Sequence, residues 1–137
     1  MRASGTFKVA GFTPAPVPAP APAIETALPV GVATMEKQYE GEVVGRSETL
    51  FTAAFDQASG VGTYVAMESF AGSLNGRSGA FNFVHSAATS GEDRQNEFFV
   101  VVPGSGTGAL AGITGSGGMA VDAEGTHRVW FEYELDA

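Results

Sequence analysis

Pro103-Gly104-Ser105-Gly106-Thr107-Gly108-Ala109-Leu110-Ala111-Gly112-Ile113-Thr114-Gly115 is a glycine-rich run set between two strand-like segments. Glycine adopts φ > 0, and lets another chain come close, at no steric cost. The run follows the apolar Phe98-Phe99-Val100-Val101-Val102 and leads into further strand. It reads as a structured crossover with a demanding backbone path. A phosphate loop would need a lysine and a following helix, and neither is evident. A nucleophile elbow would need Gly-x-Ser-x-Gly spacing, which Gly104-Ser105-Gly106 does not have. Backbone geometry explains the run better than chemistry does.

Working outward, the chain alternates with period two almost throughout, which is the signature of half-buried strands. Segments with this pattern are Ser4 to Phe12, Ala33 to Val44, Ser47 to Phe55, Thr63 to Leu74, Ser78 to Ala88, Asn96 to Val102, Gly118 to Asp122 and Thr126 to Leu135. The turns between them are expected at Gly45, Ser59-Gly60-Val61-Gly62, Asn75-Gly76, Ser90-Gly91-Glu92-Asp93 and Glu124-Gly125. Asn-Gly is the strongest of these hairpin signals. About eight strands and no amphipathic helix point to an all-β fold, a closed antiparallel eight-stranded barrel without exposed edges.

With 137 residues the chain is expected to be a single domain over residues 1–137. Nineteen glycines with ten phenylalanines suit tight turns around large aromatic fillers. Pro14, Pro16, Pro18, Pro20 and Pro22 alternate with Ala and Val. Proline has no backbone donor, so a Pro/Ala-rich surface connection outside any ladder is expected over residues 13–23. A net charge of −8 with only seven Lys and Arg leaves no basic patch, so nucleic acid and an anionic membrane surface are not expected partners. The absence of cysteine removes thiolate metal sites and thiol nucleophiles, and fits a cytoplasmic protein. The first residues carry no apolar run of signal-peptide type. No cofactor and no metal site is expected.

The alternation also assigns an interior. His127, Val129, Phe131, Tyr133 and Leu135 share one face. So do Phe81, Phe83 and His85, and likewise Tyr64, Ala66, Glu68 and Phe70, with Phe51, Phe55, Met35 and Tyr39 from earlier strands. Together they would line an aromatic cavity holding one carboxylate and one or two imidazoles. Glu68, His85 and Tyr64 are the candidate catalytic residues, and Phe70, Phe81, Phe83, Phe131 and Tyr133 the candidate ligand-binding residues. A desolvated, unpaired Glu68 would have a raised pKa suited to acid–base work. The competing reading pairs Glu68 with Arg77 or another cation as a structural element. His85, and less so His127, could transfer protons near neutral pH, or could simply be tied to a turn. Trp130, on the outward face, is a candidate interface residue or equally an aromatic packed under the proline tract, and a homo-oligomer stays open.

Tyr64-Val65-Ala66-Met67-Glu68-Ser69-Phe70, Gly76-Arg77-Ser78-Gly79-Ala80-Phe81, His85, Val102 to Gly108, Leu110-Ala111-Gly112 and Tyr133-Glu134-Leu135 occur in an order that resembles the bacterial domain of unknown function 3224 family. The resemblance runs from about Ser4 to Leu135. It implies an allene-oxide-cyclase-like, calycin-like β-barrel, and it supplies no agreed catalytic residues. The chain departs from the family at Pro14 to Pro22, where a polar, acidic loop is usual. Three functions stay open at this point. One is a cofactor-free isomerase or cyclase acting on a small apolar substrate in the barrel. Another is a lipocalin-like carrier or sensor. The last is a structural barrel packed solid with its own phenylalanines.

Overall fold

The computed structural model of the chain describes residues 1–17, 23–91 and 93–135. Eight strands form in sequence order: β1 (Arg2–Ala15), β2 (Val30–Gly41), β3 (Val43–Asp56), β4 (Val61–Leu74), β5 (Arg77–Ser90), β6 (Asp93–Val101), β7 (Thr114–Val121) and β8 (His127–Glu134). Each pairs antiparallel with the next, and β8 pairs with β1, so the sheet closes into a ring. The seam between β6 and β7 is the weakest, with one paired position, Val100 opposite Ser116. Among the described residues no helix is long and apolar enough to cross a membrane.

The turns behave as their residues dictate. Asn75 and Gly76 both have positive φ, 50° and 83°, as a tight hairpin between right-twisted strands requires. The turn expected at Gly45 lies instead at Gly41 and Glu42, between β2 and β3. Gly45 is inside β3, where β4 comes so close that a Cβ would stand 2.2 Å from the Ala71 carbonyl oxygen. That glycine serves a close approach rather than a turn. Pro14 also differs from expectation. It lies in β1 opposite Ala33. β8 pairs with β1 only from Arg2 to Phe7, so the far half of β1 is an edge and tolerates a residue without an N–H. Pro16 is exposed just past the end of β1, and residues 18–22, with Pro18, Pro20 and Pro22, lie outside the described residues.

The glycine-rich crossover closes one end of the ring. Its single helical turn, η1 (Gly108–Leu110), drives Leu110 and then Ile113 into the interior, both fully buried. It also takes over the ladder of β5 where β6 ends: Thr107 N–H donates to the Ala80 carbonyl (2.8 Å), and Asn82 N–H to Ser105 Oγ (3.0 Å). Gly79 permits this contact, since a Cβ there would meet the Thr107 carbonyl oxygen at 2.0 Å. Above this plug the closed end is packed with Val43, Phe70, Leu74, Phe81, Phe83, Val129, Phe131 and Tyr133. Phe131 stands edge-on to both Phe81 (5.5 Å) and Phe83 (5.2 Å), the geometry aromatic quadrupoles prefer.

Candidate functional site

Halfway along the ring the interior changes from aromatic to ionic. Four neighbouring strands place polar side chains inward at this level: Lys37 from β2, Ser47 and Thr49 from β3, Glu68 from β4 and His85 from β5. Glu68 is wholly buried and both its oxygens are occupied. Oε1 accepts from Tyr39 Oη (2.7 Å) and Ser47 Oγ (2.7 Å). Oε2 accepts from Lys37 Nζ (2.8 Å) and His85 Nε2 (2.5 Å). Burial alone would raise the carboxyl pKa. The His85 hydrogen bond and the Lys37 charge outweigh it and hold the pKa down at about 2. Glu68 is therefore an ionised anchor paired with a cation, as the structural alternative has it, and the raised pKa of an unpaired carboxyl does not apply. The cation that holds it is Lys37; Arg77 is exposed beside the Asn75-Gly76 turn.

From Glu68 a directed chain of hydrogen bonds runs outward. An ionised carboxylate only accepts, so His85 Nε2 carries a proton. Burial pushes the His85 pKa below its ordinary value, against the attraction of Glu68, so the ring is neutral near pH 7 and Nδ1 is an acceptor. Tyr64 Oη–H donates to that Nδ1 (2.8 Å). Arg94 Nη2 in turn donates to the Tyr64 oxygen (3.0 Å), and Arg94 Nε pairs with Glu97 (2.6 Å). Burial raises the Tyr64 pKa, and the Arg94 guanidinium opposes it.

On the open side of this ionic layer lies a cavity of about 680 Å³. Its walls are mostly apolar, with Phe12, Pro14, Met35, Phe51 and Phe55 among them. Its polar lining includes Lys37, Thr49, Tyr64, His85 and Arg94. Thr49 is buried, and its hydroxyl has no hydrogen-bond partner. Lys37 Nζ also lies 4.6 Å from the centre of the Phe7 ring. A smaller cavity of about 230 Å³ opens at the β6–β7 seam, lined by His85, Arg94, Glu97, Phe99 and Trp130 among others. His85 and Arg94 line both.

The structure therefore brings Glu68, His85 and Tyr64 into one hydrogen-bonded chain. It places Phe70, Phe81, Phe83, Phe131 and Tyr133 elsewhere. All five point inward as the alternation implies, yet they are buried in the packed end and do not line the cavity. Their rings fill one another's space, and the Tyr133 hydroxyl is taken by Asn75 Nδ2 (2.9 Å). His127 stacks on Phe7 at 5.1 Å and lines the cavity, but is not among the partners of Glu68. Trp130 stays on the outer side, close over Gly118, with the Arg2 guanidinium 5.8 Å from its ring. Lys37, Ser47, Thr49 and Arg94 were not legible as site residues. Lys37 did carry a signal, since it lies between inward Met35 and Tyr39 on the same parity. Arg94 carried none, because β6 takes three steps from Gln95 to Phe98 where β5 takes two, and this extra residue breaks the alternation between Arg94 and inward Phe99.

The chain matches the DUF3224 family, described as a protein of unknown function, over residues 3–133. It belongs to that family. Among solved structures it is similar to a DUF3224 protein of unknown function from Shewanella oneidensis MR-1, with 28% identity and a TM-score of 0.82. That match covers 100% of this chain and 98% of the other. No curated protein matches the chain. Membership of the family thus brings a common fold and leaves the chemistry of the ionic layer to be read from its own geometry.

Proposed function

We propose that this protein binds a small, mainly apolar molecule carrying one neutral polar group, held in the cavity with that group on the ionic layer. The observation that carries the reading is a cavity of about 680 Å³ whose mostly apolar walls lead onto the polar groups Lys37, Tyr64 and His85 of the ionic layer. The volume lies within the usual range of small-molecule sites. Charge balance favours a neutral head group. Lys37 is matched by Glu68 and Arg94 by Glu97, so a ligand carboxylate would arrive without a free counter-ion. The cavity supports a binding role over a barrel filled throughout. The unbroken next-neighbour strand order supports the allene-oxide-cyclase-like barrel as the finer description of the ring.

Prodan, a neutral naphthyl ethyl ketone whose emission shifts to the blue in apolar surroundings, tests this. The expected result is saturable binding, one dye per chain, with a blue shift. Ala53 lines the cavity, and Ala53→Trp should fill it and abolish binding while leaving the fold intact. Absence of binding, or binding that survives Ala53→Trp, would overturn the proposal.

A further inference from the structure

The hydrogen-bond chain leads from buried Glu68 to a cavity-lining hydroxyl, and each member has the donor or acceptor role that the next requires. Building on the binding reading above, we propose that the cavity is a proton-transfer centre for neutral ketones and enones, with Tyr64 as the group that exchanges a proton with the carbon next to the carbonyl. Tyr64 Oη is the atom of the chain that is half-buried rather than sealed, and it lines the cavity. Its proton already points at His85 Nδ1.

The step balances without a co-reactant. The Tyr64 oxygen takes the proton from the α-carbon as its own proton passes to His85 Nδ1. The electron pair of the broken C–H bond forms the C=C bond, and the carbonyl π pair moves onto oxygen. The resulting imidazolium faces Glu68, which is ionised and 2.5 Å from Nε2. The enolate oxygen is met by Lys37, a lining group with donors to spare: one N–H is committed to Glu68 where the ammonium offers three. Return of the proton to the same carbon regenerates the ketone, and return to the far carbon of an extended enolate moves a double bond. No electron is gained or lost overall. His85 also lines the smaller cavity at the β6–β7 seam, which gives its proton a way to exchange with water. Glu68 is a positioning residue here: it fixes the His85 tautomer and never touches the substrate. Pre-set hydrogen bonds of this kind act where charge develops, and that is where they favour a reaction most.

Prodan serves again, because a methylene stands next to its carbonyl. In deuterated buffer, exchange of that methylene is followed by mass spectrometry or proton NMR, with dye binding measured on the same samples. Exchange should run on the order of a hundredfold faster on the protein than in buffer, the low end of what a positioned acid–base group contributes. Tyr64→Phe should keep dye binding within about threefold and return exchange to the buffer rate, since one hydroxyl is worth little to binding and the whole step to transfer. Bound dye exchanging at the buffer rate refutes the proton-transfer centre and leaves the binding reading standing. Fast exchange that persists in Tyr64→Phe removes Tyr64 from the role claimed for it. A dye that does not bind removes the binding reading and this step together.

Discussion

Replacing Lys37 with methionine tests whether the ionic layer is held as a unit. Methionine keeps most of the volume and removes the charge, so Glu68 is left buried with only the neutral donors Tyr39, Ser47 and His85. Both Lys37 and Glu68 are nearly sealed from solvent, with side-chain exposures of 4% and 0%. Breaking a buried pair by removing one partner typically costs about 3–5 kcal/mol. Unfolding entropy of about 2.1 cal/mol/K per residue makes each kcal/mol worth roughly 3–4 °C for a chain of this size. Lys37→Met should therefore lower the melting temperature by about 10–18 °C. Glu68→Gln should cost a similar amount, because its amide would face two donors, Lys37 Nζ and His85 Nε2. The double variant removes both charges, and its amide can donate to a re-tautomerised His85. It should be less destabilised than the sum of the singles by about 2–3 kcal/mol, the upper part of the range of about 0.5–3 kcal/mol measured for residues in contact. Urea unfolding followed through Trp130, the single tryptophan, gives all three values. Unchanged m-values would confirm that stability alone moved. Additive single costs below about 1 kcal/mol, as for an exposed pair, would refute the argument.

Other consequences are separately measurable. Glu68 has a folded pKa of about 2 against an ordinary value near 4.5, so its contribution is complete above pH 4.5 and lost as pH falls toward 2, on the order of 3 kcal/mol in all. The lowered His85 pKa adds in the same direction: its contribution is complete above 6.5 and declines below it, so urea midpoints should fall from pH 7 to pH 5 and more steeply from pH 4 to pH 3. A flat profile across that range would contradict the buried layer. Thr49→Val should leave the protein as stable or about 1 kcal/mol more so, because an unpartnered buried hydroxyl is removed. A loss of stability would mean the hydroxyl has a partner in solution. Phe83→Ala, at the contact of Phe81, Phe99 and Phe131, should cost about 3–5 kcal/mol. A cost near zero in chemical unfolding would place Phe83 outside the packed core.

What the sequence determined by itself was local and periodic. Side chains on a strand alternate between faces, so the inward sets Tyr64–Ala66–Glu68–Phe70, Phe81–Phe83–His85 and Val129–Phe131–Tyr133 could be read without coordinates, and each is inward in the structure. Asn75-Gly76 specified its hairpin because few residues accept positive φ at two successive positions. Glycine was ambiguous on the same grounds: Gly45 looked like a turn and is a close strand contact. Level along the ring was not legible, because alternation states which face a residue takes and not which residues meet across the interior. Tertiary structure decided that the phenylalanines of β5 and β8 fill one end over the glycine-rich plug, leaving the other end hollow. It also decided that Lys37, thirty-one positions before Glu68, is the cation beside it. The His85 hydrogen bond and that pairing together set Glu68 ionised rather than protonated, because the pKa of a buried carboxyl depends on which donors and charges the fold brings within reach.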